Sequence, residues 1–475
     1  MNKTKIVCTI GPQSLVAETL LELYNEGMSV ARLNGSHADL DWHRTAISII
    51  HKVLPNIPIL LDIPGRKIRT GLLQNEPEFC LGDTIILTTD SEYIGDDKVS
   101  VNYPSLHLDL SVGNTIMADD GMLKFTVLKI VERDIYCTAN IAGKLKSRKG
   151  INVPFVKLNT PEVTERDKIM IEFARDNKVD YIGLSFVESA EHVAKFKQLI
   201  GASGPRIVAK VENQGGMDNM IEIAQIADVI MIDRGDLSVE TSLFDVALRQ
   251  KQIINSSKRF GTPVIVATEM LHSMISSPHP TKSELTDISN AVLDGCSCTM
   301  LSGETAIGKF AVESVSTMRK VIAATESYQQ GLAAIKYGSE VVESIPEGIT
   351  NVIPTLCRAL PITKVVAITR SGYAAKKLSK FALDQEILAV SDDRMAAKSF
   401  GIISGVTGVF SEISFSKTGS EHFSKIIEML LKKRFLKCND LILITGVVYP
   451  QHGSRMNAIN IIAVNDLIKL FNWPY

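Results

Sequence analysis

The feature that most constrains this chain is a repeat. A short, β-branched, apolar run ends in a polar or charged cluster, and a longer amphipathic stretch follows. The run occurs at Lys5–Thr9, Ser29–Leu33, Ile59–Asp62, Tyr181–Phe186, Arg206–Val211, Val229–Asp233, Pro263–Thr268 and Cys298–Ser302. Continuous apolar runs of this length suit parallel strands buried on both faces. Apart from one gap, successive starts lie about 23 to 35 residues apart, the length of a strand plus its returning helix. Eight such units predict an α/β chain built on a closed (β/α)8 TIM barrel.

The gap falls between the third and fourth runs and spans about 120 residues, roughly 90 more than a unit needs. Its alternating stretches, such as Thr84–Thr89, Lys124–Ile130 and Ile135–Ile141, predict a small inserted β-barrel lid domain over residues 71–158. An insertion after strand three stands on the C-terminal face of the barrel, where barrel enzymes do their chemistry. Beyond residue 337, Val365–Thr369, Ile387–Val390, Gly405–Val409 and Leu441–Thr445 predict a C-terminal α/β domain with a parallel sheet, over 337–475. The barrel is then discontinuous, made of 1–70 and 159–336.

Composition narrows the partners. Of 475 residues, 45% are hydrophobic and 22% charged, enough apolar material for large cores and too much for disorder. The formal net charge is −2, which argues against a nucleic-acid partner, since phosphate contacts need a basic excess. No segment reaches the ~20 apolar residues of a membrane span, and the apolar run at the N-terminus is too short for a signal peptide. Seven cysteines without a CxxC pair suit reduced thiols in a cytoplasmic protein.

The strand ends carry the chemistry. Strand two ends in Arg32, Asn34 and Ser36; strand three in Asp62, with Arg69 beyond it; strand four in Ser185. Strand five gives Lys210 and Glu212, strand six Arg234 and Asp236, strand seven Thr268, strand eight Ser302 and Glu304. Carboxylates hold a divalent cation such as Mg²⁺, and cations with Mg²⁺ stabilise a transferring phosphoryl group. Each residue also has a plainer reading. Lys210 fits a structural ion pair, Glu212 or Asp236 a helix N-cap or first-turn acid, and Ser302-Gly303 a tight turn. The joint placement on successive strand ends favours the chemical reading.

At this point the chain resembles the pyruvate kinase family along nearly its whole length. The resemblance rests on TKIVCTIGP (Thr4–Pro12), ARLNGSH (Ala31–His37), KIRTG (Lys67–Gly71), DDG (Asp119–Gly121) and KGINVP (Lys149–Pro154). It is most specific at AKVEN (Ala209–Asn213), RGDL (Arg234–Leu237), ATEML (Ala267–Leu271) and MLSGETA (Met300–Ala306). It implies phosphoryl transfer from phosphoenolpyruvate to ADP, giving pyruvate and ATP, by a homotetramer. Lys210, Arg32 and Thr268 would be catalytic, and Gly235, Asp236, Thr268 and Ser302 would hold substrate. Arg69, Lys149, Asn34 and His37 would meet the nucleotide. Glu212 and Asp236 would ligate Mg²⁺ or Mn²⁺. Asn34, Ser36, Asp62 and the carbonyl of Ile63 match a monovalent-cation site, nominally for K⁺.

The chain departs from the family pattern in places. Gly35 stands where a Phe is usual. Lys67 replaces a Glu associated with K⁺ dependence, so its ammonium is expected to replace the monovalent cation. Asp233 and Glu269 add negative charge beside an anion site. TRSGYAA (Thr369–Ala375) keeps Thr369, Ser371 and Gly372 but has Ala374 where a hydroxyl is common, so fructose-bisphosphate activation is expected to be weak or absent. Two other functions compete: a divergent paralogue acting on another enolate or 2-oxo acid, and a non-catalytic binding protein on the same scaffold.

Overall fold

The computed structural model describes residues 2–119, 121–156, 158–159, 162–332, 344–415, 421–447 and 456–475. Asp120 of the DDG motif and the domain boundary at residue 337 lie outside the described residues.

Eight parallel strands close into a barrel. They are Lys5–Thr9, Met28–Asn34, Ile59–Ile63, Tyr181–Leu184, Arg206–Val211, Val229–Asp233, Val264–Ala267 and Cys298–Leu301, and strand eight pairs back onto strand one. The expected runs are recovered, three of them to the residue. Strands four and seven stop short of Phe186 and Thr268, whose φ angles are +53° and +69°. A left-handed backbone cannot continue a strand ladder, so the chain turns there toward the barrel mouth. Helices return along the outside, several with side-chain caps. Thr164 and Thr281 both form capping boxes, with Asp167 and Glu284, satisfying amides that a helix start leaves free. Apolar residues between strands and helices form one large core.

The insertion is a seven-stranded sheet running from Ile68–Arg69 at one edge through Gly150–Asn152 to Val99–Ser100 at the other. A single bridge, Thr70 to Val101, joins the two edges and closes the sheet into a small barrel. It has its own core, with Phe79 and Phe125 at 5.4 Å. The sheet recruits Ile68–Arg69, which the sequence division gave to the large barrel.

The C-terminal sheet has the order Val406–Phe410, Glu386–Ser391, Lys364–Ile368, Leu441–Gly446, Ala458–Ala463. The expected parallel sheet gains an antiparallel edge, Ala458–Ala463, whose flanking residues carried no strong strand signal. One face of this sheet packs under the barrel: Val7, Leu60, Val208 and Ile265 share a core with Phe400 and Ile402. Tyr181 donates its hydroxyl to Ser399 O at 2.5 Å, across the same contact. All seven cysteines are free. No helix among the described residues is long and apolar enough to cross a membrane.

Candidate active site

Strand register sets the site. Asn34 pairs beside Asp62, and Asp233 beside Ala267, at the C-terminal mouth. Arg32 is buried and directs Nε and Nη2 to Asp62 Oδ2, both at 2.7 Å, while Nη1 donates to Thr9 Oγ1 at 2.9 Å. The other oxygen, Asp62 Oδ1, is buried and makes no hydrogen bond among the described residues. Asn34 Oδ1 accepts from Ser36 N at 3.1 Å, and Ile63 O accepts from Ser185 Oγ at 2.9 Å. Gly35 has no room for the aromatic side chain usual in the family. A Cβ there would lie 2.5 Å from Asp62 O and 2.7 Å from Met170 Cε.

Strands five and six supply the charged centre. Lys210 Nζ lies 3.0 Å from Glu212 Oε2, 3.2 Å from Asp233 Oδ2 and 3.3 Å from Ser185 Oγ. Glu212 is fully buried, and its Oε1 accepts from Phe186 N at 2.7 Å. Oxygens of Glu212, Asp233 and Asp236 lie within 4.8 Å of one another. Lys67, at the root of the lid, places Nζ 2.6 Å from Asp236 Oδ1. Its ammonium therefore sits with the carboxylate cluster; among the described residues it makes no ion pair with Asp62, where the sequence put the monovalent cation.

The electrostatics follow from burial working against opposite charge. Burial pulls Lys210 and Lys67 down, yet Glu212 and Asp233 around the first, and Asp236 beside the second, hold both above the ordinary lysine value. Asp233 is pushed up by burial but ends below the usual range because Lys210, Lys67 and Arg32 face it. Glu212 is raised, by burial first and then by Asp236 and Asp233, despite Lys210. The extra charge of Asp233 is thus compensated within the site.

Strands seven and eight complete the rim. Thr268 Oγ1 accepts from Gly235 N at 2.9 Å, and Thr268 O accepts from Arg234 Nη2 at 2.6 Å. Arg234 is fixed by two hydrogen bonds to Asp287, at 2.7 and 2.8 Å. The Asp287 partner carried no sequence signal. Ser302 N donates to Glu304 Oε2 at 2.7 Å, leaving Ser302 Oγ buried with no hydrogen bond among the described residues. Glu269 is exposed, and no ion pair joins it to the cluster among the described residues.

Of the expected nucleotide residues, Arg69 and Lys149 belong to the lid, whereas Asn34 ends barrel strand two and His37 follows it. Arg69 donates to Arg148 O at 3.2 Å, and Lys149 pairs with Asp119 at 2.6 Å. These are contacts within the lid, not with the barrel mouth. His37 is exposed overall, and partial desolvation of its ring, then the charges of Arg69 and Arg32, lower its pKa. Lid and barrel meet where Asn152 Nδ2 donates to Glu240 Oε1 at 2.7 Å.

Comparison with known proteins agrees with this geometry. The family profile described as "Pyruvate kinase, barrel domain" matches residues 1–315, and "Pyruvate kinase, alpha/beta domain" matches residues 347–462. A pyruvate kinase of Bacillus licheniformis is 36% identical, covering 98% of this chain and 81% of the relative. That of Dictyostelium discoideum is 32% identical, over 98% and 95%. A crystal structure of a pyruvate kinase from Cryptosporidium parvum superposes with a TM-score of 0.85 at 31% identity, covering 98% of this chain and 96% of that one. With both domain profiles matched and relatives similar over nearly the whole chain, the chain belongs to the pyruvate kinase family.

Proposed function

We propose that this chain moves the phosphoryl group of phosphoenolpyruvate to ADP, giving pyruvate and ATP. The observation that carries this reading is the joint placement of Lys210, Glu212 and Asp236 at one barrel mouth, beside the Thr268–Gly235 contact. Glu212 and Asp236 would hold Mg²⁺ or Mn²⁺. The donor set fits a hard cation, being carboxylate oxygen, and oxygens of Glu212 and Asp236 stand within 4.8 Å of one another. When bound, such an ion supplies positive charge to phosphoryl oxygens.

The remaining work falls to side chains. Lys210, locked between Glu212 and Asp233, holds a fixed positive charge where the phosphoryl passes. Arg32, aimed by Asp62 and Thr9, contacts the same group. Opening the Gly235–Thr268 hydrogen bond frees the Gly235 N–H for the substrate carboxylate, the Thr268 hydroxyl would join it by leaving Ala267 O, to which it donates at 2.6 Å, and Ser302 Oγ adds an unused donor nearby. Arg69, Lys149, Asn34 and His37 would meet the nucleotide as the lid, residues 71–158, excludes water that would otherwise take the phosphoryl. After transfer, the enolate takes up a proton to give pyruvate. Asn34, Ser36, Asp62 and Ile63 O would form the monovalent-cation site, and the ammonium of Lys67, held on Asp236, would supply charge in place of K⁺ without entering that site. A cytoplasmic homotetramer completes the reading.

A coupled assay for pyruvate from phosphoenolpyruvate and ADP, with Mg²⁺ or Mn²⁺, tests it. Turnover is expected, and its absence would overturn the reading. Asp233 favours one second reading, a paralogue for another enolate, which the same assay with alternative enol phosphates would reveal.

A further inference from the structure

In the scheme above Asp233 does no more than help to hold Lys210. It stands at the N-cap position of the helix Arg234–Glu240, yet its side chain caps nothing, although Asp at this position ordinarily accepts from a free helix amide. It is buried and turned instead toward Lys210, with an oxygen inside the group formed by Glu212 and Asp236. Three carboxylates this close repel one another unless cations stand among them. Here two ammonium groups do: Lys210 against Glu212 and Asp233, and Lys67 against Asp236.

A second observation points into the same space. Glu212 Oε2 is fully buried and makes no hydrogen bond among the described residues, apart from its ionic contact with Lys210. One ammonium, that of Lys210, serves both Glu212 and Asp233, so the buried pair keeps a net negative charge that a further cation can meet.

We propose that Asp233 is a third carboxylate ligand of the divalent cation, and that Lys67 neutralises Asp236 until that cation arrives. The assignment rests on the functional reading only for the presence of a divalent cation at this mouth. Two carboxylates leave such an ion dependent on substrate oxygens and water. A third lets the protein hold it before substrate binds. The ammonium of Lys67 and the metal then compete for Asp236, so the two residues act on affinity with opposite signs.

The test is Mn²⁺ binding to the full-length protein without substrate, followed by electron paramagnetic resonance of the free ion. Asp233→Asn keeps the shape of the side chain and an oxygen for Lys210, and Asp233→Ala removes both; thermal unfolding reports whether each variant is folded. Both are expected to weaken Mn²⁺ binding by about tenfold or more, and Lys67→Met to tighten it. If Asp233→Asn binds Mn²⁺ as well as the parent, Asp233 is only the charge partner of Lys210 and the assignment fails. Absence of substrate-free Mn²⁺ binding in the parent would also overturn it. Unchanged binding in Lys67→Met would remove the competing role of Lys67. A parent that binds Mn²⁺ through Asp233 but makes no pyruvate would overturn the functional reading while leaving this one standing.

Discussion

Arg32 meets Asp62 twice, through Nε and Nη2 on one carboxylate oxygen, with both side chains buried. Removing one partner of such a pair leaves an uncompensated buried charge. Asp62→Ala is expected to destabilise the protein by about 3–5 kcal/mol, read from urea unfolding. A loss below about 1 kcal/mol would mean that Arg32 finds water or another acid once Asp62 is gone.

Lys210 holds its charge against three neighbours at once. Lys210→Met is expected to lower turnover by at least about 10²- to 10³-fold while the circular dichroism spectrum stays that of the parent. Activity near the parent's would refute the role given to Lys210.

Lys67 brings a permanent positive charge to the rim, whereas Asp62 Oδ1 still lacks a partner. If the charge is what matters, turnover persists when K⁺ is exchanged for tetramethylammonium, and Lys67→Glu makes K⁺ necessary. A strong K⁺ requirement in the parent protein would show that the unpartnered oxygen of Asp62, and not Lys67, governs the cation effect.

Glu240 holds the lid through Asn152, and burial first, with some repulsion from Asp236, raises its carboxyl to about 7 against the lowering effect of the Asn152 hydrogen bond. Between an unfolded value near 4.5 and about 7, the folded chain binds more protons than the unfolded one, so stability falls as pH rises through this window. The parent is expected to lose up to about 3 kcal/mol between the two limits, and Glu240→Gln to lose less. Melting temperatures at pH 5.5 and 8 compare the two, and parallel curves would contradict the assignment.

Gly35 is required by a backbone contact. Its missing Cβ would stand 2.5 Å from Asp62 O, an atom held in place by the Gly35 N–H itself at 2.8 Å. Gly35→Ala is expected to cost about 1–3 kcal/mol. Adding Met170→Ala should not restore it, because the carbonyl cannot move aside as a side chain can. Chemical denaturation of the single and double variants decides the point.

The barrel was legible because parallel strands buried on both faces must be apolar throughout, so Lys5–Thr9 and Val229–Asp233 stand out unaided. Lys210, Glu212 and Thr268 were legible because a barrel gathers strand ends. What failed were properties set by partners distant in sequence. Nothing near Arg234 announces Asp287, 53 residues on. Asp233 reads as an excess negative charge until Lys67, from the far side of the lid insertion, is seen on Asp236 beside it. The edge strand Ala458–Ala463 is only partly buried, so its pattern carried little of the signal that marked the central strands.

The shared core beneath the barrel has a consequence for folding. The lid closes on its own apolar cluster, but the barrel interior and the underside of the C-terminal sheet are one cluster. Counted along the chain there are three units; counted by cores that must melt together, barrel and C-terminal domain are one. Cutting the chain ahead of the C-terminal domain would therefore open the floor of the barrel to water, whereas loss of the lid core would leave that floor covered.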